Sequence, residues 1–163
     1  MLTSKCYRVV LPTVILALAL EMFPLPDWAQ SFRPDWVTLV LIYWVMAIPE
    51  QVGVTVAFIF GLLLDVTQGA ILGQHAIGLV LVVYLVHLQY LRLRVFSLVQ
   101  QALVVFVLLM IKQLLVLWVS GIIGQAPDAG WYFLPSLVGA IIWPWLFIIL
   151  RDIRRRFTLT RSF

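Results

Sequence analysis

The chain has 163 residues, 64% hydrophobic and 11% charged, with a net charge of +4. Soluble domains run at about 45 to 50% apolar and about 25% charged, so a water-soluble globular domain is excluded. The excess positive charge does not point to nucleic acid, because the basic residues cluster at the ends of apolar runs, where membrane topology and anionic lipid account for them.

Lys5 and Arg8 precede an uncharged run over residues 9–20. No small-x-small cleavage site follows, and MFPLPDWAQ is a proline-broken exit, so the run reads as a first span over 8–23 rather than a signal peptide. Cys6, the single cysteine, excludes an internal disulfide framework and is expected on the reducing side of the membrane. Glu21 closes the outer end of this span. Pro34 and Asp35 then open a helix that Pro49 and Glu50 close, and a second uncharged run reaches Asp65. Each run has fourteen residues. At about 1.5 Å per residue each covers roughly 21 Å, short of a hydrocarbon core of about 30 Å. The pair, over 35–49 and 51–66, is therefore either two short spans or a hairpin that dips in from outside.

Residues 66–91 carry no formal charge and have room for an outer loop around 68–74 and a span over 75–91. Arg92 and Arg94 mark a short connection to a span over 96–123, interrupted only by Lys112. GQAPDAG reads as a turn. The last span, over 131–150, has Pro144 between Trp143 and Trp145 as a kink. The basic tail over 151–163 is too short to fold by itself. With six spans, Lys5, Arg8, Arg92, Arg94, Arg151, Arg154, Arg155, Arg156 and Arg161 fall on one side and Arg33 alone on the other. The expectation is thus an all-α polytopic membrane protein, one domain over 1–163, with six transmembrane helices, the second and third short, and both termini cytoplasmic.

Gly61, Asp65, Gly69 and Gly73 recur every four positions. A continuous helix would stack them on one face, where a partner helix could approach closely. A helix that stops near Thr67 and resumes near Gly73 is the alternative, and its free backbone groups would need cover at membrane depth. Either way Asp65 reads as an organiser of structure, since no acid/base partner is in sight. Arg33 and Asp35 complete the expected partner surface, unless they pair with each other. Lys112 lies eighteen residues beyond Arg94, well into the membrane, where a lysine costs about 2.5 to 3.5 kcal/mol. Glu21, thirteen residues beyond Arg8, lies at similar depth. An ion pair between Glu21 and Lys112 is therefore a candidate, beside snorkelling of the lysine and an acid supplied by a partner.

HExxH, GxSxG, GxxxxGK[ST] and paired cysteines are all absent, and His75 and His87 are twelve residues apart. Neither an enzyme nor a metal or cofactor site is expected. Arg151, Arg154, Arg155 and Arg156 anchor topology, and attract anionic lipid at about 1 kcal/mol per charge near the surface or dock a cytoplasmic partner.

FRPDWVTLVLIYWVMAIP from Phe32, GLLLDVTQGAILG from Gly61 and GAIIWPWLFIILRDIRRRF from Gly139 resemble, in order and spacing, the rod shape-determining MreD family in its proteobacterial form. The resemblance covers about Phe32 to Phe157. It implies a non-enzymatic, multi-pass inner-membrane scaffold of the cell-elongation machinery, with no cofactor. It further implies work with the bitopic protein MreC, the MreB filament, and the glycosyltransferase RodA with its partner transpeptidase, and it is compatible with self-association. The family is also distantly similar in helix arrangement to the substrate-binding subunits of energy-coupling factor transporters. A small-molecule-binding transporter subunit is accordingly the rival reading. It needs a polar pocket, for which Asp65, Gln68, Gln74 and His75 are the main candidates.

Overall fold

A computed structural model describes residues 3–30, 32–124 and 132–159, with side chains from 7 to 157. Among the described residues seven helices follow one another: α1 (Thr3–Met22), α2 (Asp27–Gln30), α3 (Trp36–Ala47), α4 (Val54–Gln68), α5 (Gln74–Val95), α6 (Leu98–Ile123) and α7 (Leu134–Leu159). No strand occurs among the described residues. Helices α5, α6 and α7 are long and apolar enough to cross a membrane, whereas α3 and α4 are shorter apolar helices. The turn expected at GQAPDAG lies, apart from Gly124, outside the described residues.

The core is α3. Ten of its twelve residues are buried, from Val37 to Met46, so it is apolar all round rather than on one stripe. It packs against α1, α5 and α7, while α4 and α6 flank α5 and α6 meets α7. Trp44 of α3 donates its indole N–H to Thr13 of α1 at 2.9 Å, a polar pin in an otherwise apolar contact. A twelve-residue helix covers about 18 Å. Because protein surrounds α3, its length is not set by the thickness of the lipid.

What α3 does require is cover for the free backbone groups at its two ends. At its start Asp35 is the N-cap, accepting from the Thr38 N–H at 3.4 Å, and Glu21 of α1 accepts from the Val37 N–H at 3.0 Å. At its end Arg94 of α5 donates to the carbonyls of Met46 at 2.6 Å and Ala47 at 3.1 Å. The bundle therefore has a carboxylate end and an arginine end. Neighbouring long helices run in alternate directions between them. The α3–α4 connection lies at the arginine end, where Tyr7 of α1 donates to the Gln51 carbonyl at 3.0 Å.

The stretch around Asp65 is a broken helix. Helix α4 stops at Gln68, Gly69 takes a left-handed conformation with φ 65°, and Gly73, with φ 101°, leads into α5. These two glycines supply backbone freedom. Gly61 supplies space: a Cβ there would sit 2.4 Å from the Cα of Ala76, so α4 and α5 touch almost backbone to backbone.

Boundaries at the basic residues differ from expectation. Arg92 and Arg94 belong to α5, and the connection to α6 is only Phe96 and Ser97. Ser97 and Gln100 form a reciprocal capping box that starts α6 at once. The basic segment after Leu150 continues α7 to Leu159 instead of forming a separate tail. Arginine is a good helix former, no proline or glycine interrupts, and cations are favourable at a helix C-terminus.

Candidate functional site

At the carboxylate end, α1, α3, α4, α5, α6 and the start of α7 converge on a polar cavity of about 240 Å³. Its polar lining is Glu21, Arg33, Asp35, Gln68, His75, Lys112, Gln113 and Tyr132. Three units make up the site.

The first unit is built on Lys112. It is 2% exposed, and its ammonium donates to Asp35 and, at 2.8 Å, to Thr38, both at the start of α3. Its stem fills the space left by Gly78 of α5, where a Cβ would come within 2.8 Å of the lysine Cγ. This corrects the candidate ion pair with Glu21. Helical counting places Glu21 and Lys112 at one depth, but depth does not specify direction around the bundle. The N-terminus of α3 stands nearer, and Asp35 takes the lysine. Glu21 itself is 5% exposed and receives the Val37 N–H and, at 3.4 Å, the amide of Gln68.

The second unit is Arg33, which donates to the carbonyls of Glu21 and Phe23 at the end of α1. The local pair with Asp35 is not formed. Arg33 satisfies the last carbonyls of one helix while Asp35 caps the first amides of the next. The sequence R-P-D thus joins a basic C-terminal group to an acidic N-terminal one, each favourable for its helix dipole.

The third unit is Asp65 with the α4–α5 loop. Asp65 is fully buried. Its Oδ2 accepts from the Gly73 N–H at 2.8 Å, and its Oδ1 accepts from the His75 N–H and lies 2.8 Å from His75 Nδ1. Gly73 has no side chain with which to cap α5, so a carboxylate from α4 does it instead. Asp65 faces into this loop, and of the candidates expected to line a pocket only Gln68 and His75 reach the cavity. Gln74 turns to α6, donating to Ser120 at 2.7 Å.

Glu21, Arg33, Asp35 and Lys112 are thus brought to one cavity, with Asp65 one step behind it through His75. Gly61 is used in packing α4 on α5, and Gly69 and Gly73 lie in open space in the loop. Arg151 and Arg154 lie at the opposite end, on α7. Sequence reasoning missed Gln113 and Tyr132 as members of the cavity, and Thr38 as the second acceptor of Lys112. The partnership of His75 with Asp65 was also missed, although a signal existed: a histidine at the second position of a helix opened by glycine, ten residues after an acid. Among the described residues, no group of three or more His, Cys, Asp or Glu could hold a metal ion.

The family of rod shape-determining protein MreD matches residues 3–153 of this chain. A rod shape-determining protein MreD from Haemophilus influenzae is 36% identical over 150 residues, covering 92% of this chain and 93% of the relative. No solved structure matches. An all-helical fold with three helices long and apolar enough to cross a membrane, a match along nearly the whole length and a relative of equal extent lead to one conclusion: this chain belongs to the MreD family and has a role in determining rod shape.

Proposed function

We propose that the chain is a non-enzymatic scaffold of the cell-elongation complex in the bacterial inner membrane, tying MreC and the peptidoglycan synthesis enzymes RodA and its transpeptidase to MreB. The observation that carries this reading is the use of the polar groups. Lys112, Asp35, Arg33 and Asp65 are bonded to helix ends of the chain itself, while apolar side chains stand outward on the α4–α5 loop. Ile71 and Leu72 are 53% and 68% exposed there, next to Val66 at 66%. Loop and helix end together make an apolar knob beside two left-handed glycines, suited to the membrane-proximal part of a bitopic partner such as MreC. In this reading the intramolecular engagement of Gly61, Asp65 and Asp35 moves the partner surface from those residues to the knob they support. Changing Ile71 and Leu72 together to serine should reduce MreC recovered with the tagged protein by about tenfold, as for loss of an interface hot spot, at unchanged protein level. Unchanged recovery would dismiss the knob.

The same reading has six spans, both termini cytoplasmic, a single membrane domain, and Arg151, Arg154, Arg155 and Arg156 at the inner surface. Support comes from the alternation of helix directions and from Arg94 and Tyr7 meeting the α3–α4 connection at one end. A cysteine replacing Gln51, in a Cys6→Ser background, should react with a membrane-impermeant maleimide only after cell lysis. Labelling in intact cells would favour the re-entrant hairpin.

A second reading, a small-molecule-binding subunit, is favoured by the cavity of about 240 Å³, more polar than the sequence alone suggests. Purification separates the two. A scaffold brings down a bitopic membrane protein, whereas a carrier subunit retains a ligand.

A further inference from the structure

At the arginine end, α3, α5 and α7 line a second, partly open cavity of about 380 Å³. Its walls are Tyr43, Met46 and Ala47 of α3, Arg94 of α5, and Phe147 and Arg154 of α7. Tyr43 is 2% exposed, and its hydroxyl has no hydrogen-bond partner, although buried hydroxyls normally have one. The ring is held by edge contacts with Trp44 and Phe147, at centroid distances of 5.3 and 5.4 Å, so packing fixes where the hydroxyl points. Arg94 is equally fixed, by its two bonds to the end of α3 and by lying 5.0 Å over the Tyr90 ring. No carboxylate forms an ion pair with it among the described residues. Arg154 brings a second guanidinium into the wall, and Arg151 and Arg155 lie within electrostatic reach of Tyr43, opposed there by Asp152.

Two guanidinium groups and a phenolic O–H converging on one space are a donor set for a phosphate, and guanidinium suits its oxygens better than a lysine would. Met46 and Phe147 make the rest of the wall apolar, so the ligand carries hydrocarbon beside its charge. We propose that the cavity between α3, α5 and α7 is a binding site for the phosphate of an anionic phospholipid, held by Arg94, Arg154 and the Tyr43 hydroxyl. The site rests on α3, α5 and α7 being embedded in a membrane, and not on any contact with MreC. It differs from the general attraction of a basic helix end for a charged surface in holding one lipid per chain.

The test is native mass spectrometry of the full-length protein in detergent, titrated with phosphatidylglycerol, with diacylglycerol lacking the phosphate, or with inorganic phosphate. The wild type should retain one phosphatidylglycerol per chain and no diacylglycerol. Tyr43→Phe keeps the ring and removes only the hydroxyl, and it should weaken retention about tenfold, as loss of a hydrogen bond to a charged group does. Arg154→Gln should weaken it at least as much. Equal retention by the wild type and both variants overturns the proposal, and displacement of the lipid by inorganic phosphate overturns its lipid source. Should neither variant purify as a folded protein, the wild type still decides. Phosphatidylglycerol must raise its melting temperature above the value in diacylglycerol, and identical values overturn the site.

Discussion

Replacing Lys112 with methionine should remove most of the folded protein from the membrane. The ammonium is buried and bonded to Asp35 and Thr38, so its loss leaves a carboxylate at the start of α3 with no cation beside it. Breaking a buried pair from one side costs about 3 to 5 kcal/mol, a large part of the stability of a domain of this size. The double change Lys112→Met with Asp35→Asn removes both charges, and it should recover most of the loss, because asparagine still caps a helix. Glu21→Gln should cost only about 1 kcal/mol, since the amide oxygen can still accept from Val37. Thermal melts of detergent-solubilised protein, followed by size-exclusion chromatography, would rank the variants. If Glu21→Gln proves as damaging as Asp35→Asn, and Lys112→Met is rescued by the former instead, Glu21 is the lysine's partner after all.

Asp65→Leu should come close behind. Leucine takes the acceptor away from the Gly73 N–H, the His75 N–H and the His75 ring together, and it leaves the start of α5 uncapped. Each buried donor left without an acceptor costs about 1 to 3 kcal/mol, so a loss of at least about 3 kcal/mol is expected. Gly69→Ala provides the contrast. Its φ of 65° disfavours a side chain, but nothing lies within 4 Å of the added Cβ, so the cost should stay at about 1 to 2 kcal/mol. The same melts decide. An Asp65→Leu variant as stable as Gly69→Ala would mean that the carboxylate does not hold the loop. In cells both variants would disturb rod shape, but Asp65→Leu through loss of the protein and Gly69→Ala only mildly.

Much of the helical order is legible in the sequence, because proline and charge mark where apolar runs end. Pro34 and Asp35 announce α3, and Asp65 with three glycines announces a break that the repeat alone leaves undecided. The end of α7 is less legible, since a run of arginines looks like a solvated tail although nothing in it stops a helix. The polar cavity is barely legible at all. Asp35 and Lys112 lie 77 positions apart, and periodicity gives each residue a depth and a face on its own helix without saying which neighbour that face meets. Glu21 shows the limit well: the correct depth still led to the wrong partner. Asp65 shows the reverse, because its partners lie only eight and ten positions away, but across a loop whose shape depends on two left-handed glycines.

The central position of α3 bears on how the protein is made. Glu21 of α1 takes one of its first amides, but the groups that hold Asp35 and its last carbonyls are Lys112 of α6 and Arg94 of α5, so two of these three supports come from chain synthesised later. A nascent chain that has delivered only its first half holds a short apolar helix with an acid at one end and bare carbonyls at the other. Such a helix is poorly suited to face lipid alone. The ribosome and insertion machinery must therefore shelter α3, or leave it at the bilayer surface, until α5 and α6 emerge. The last-made half of the chain then closes around a helix that came near the beginning, and the protein matures as a unit instead of span by span.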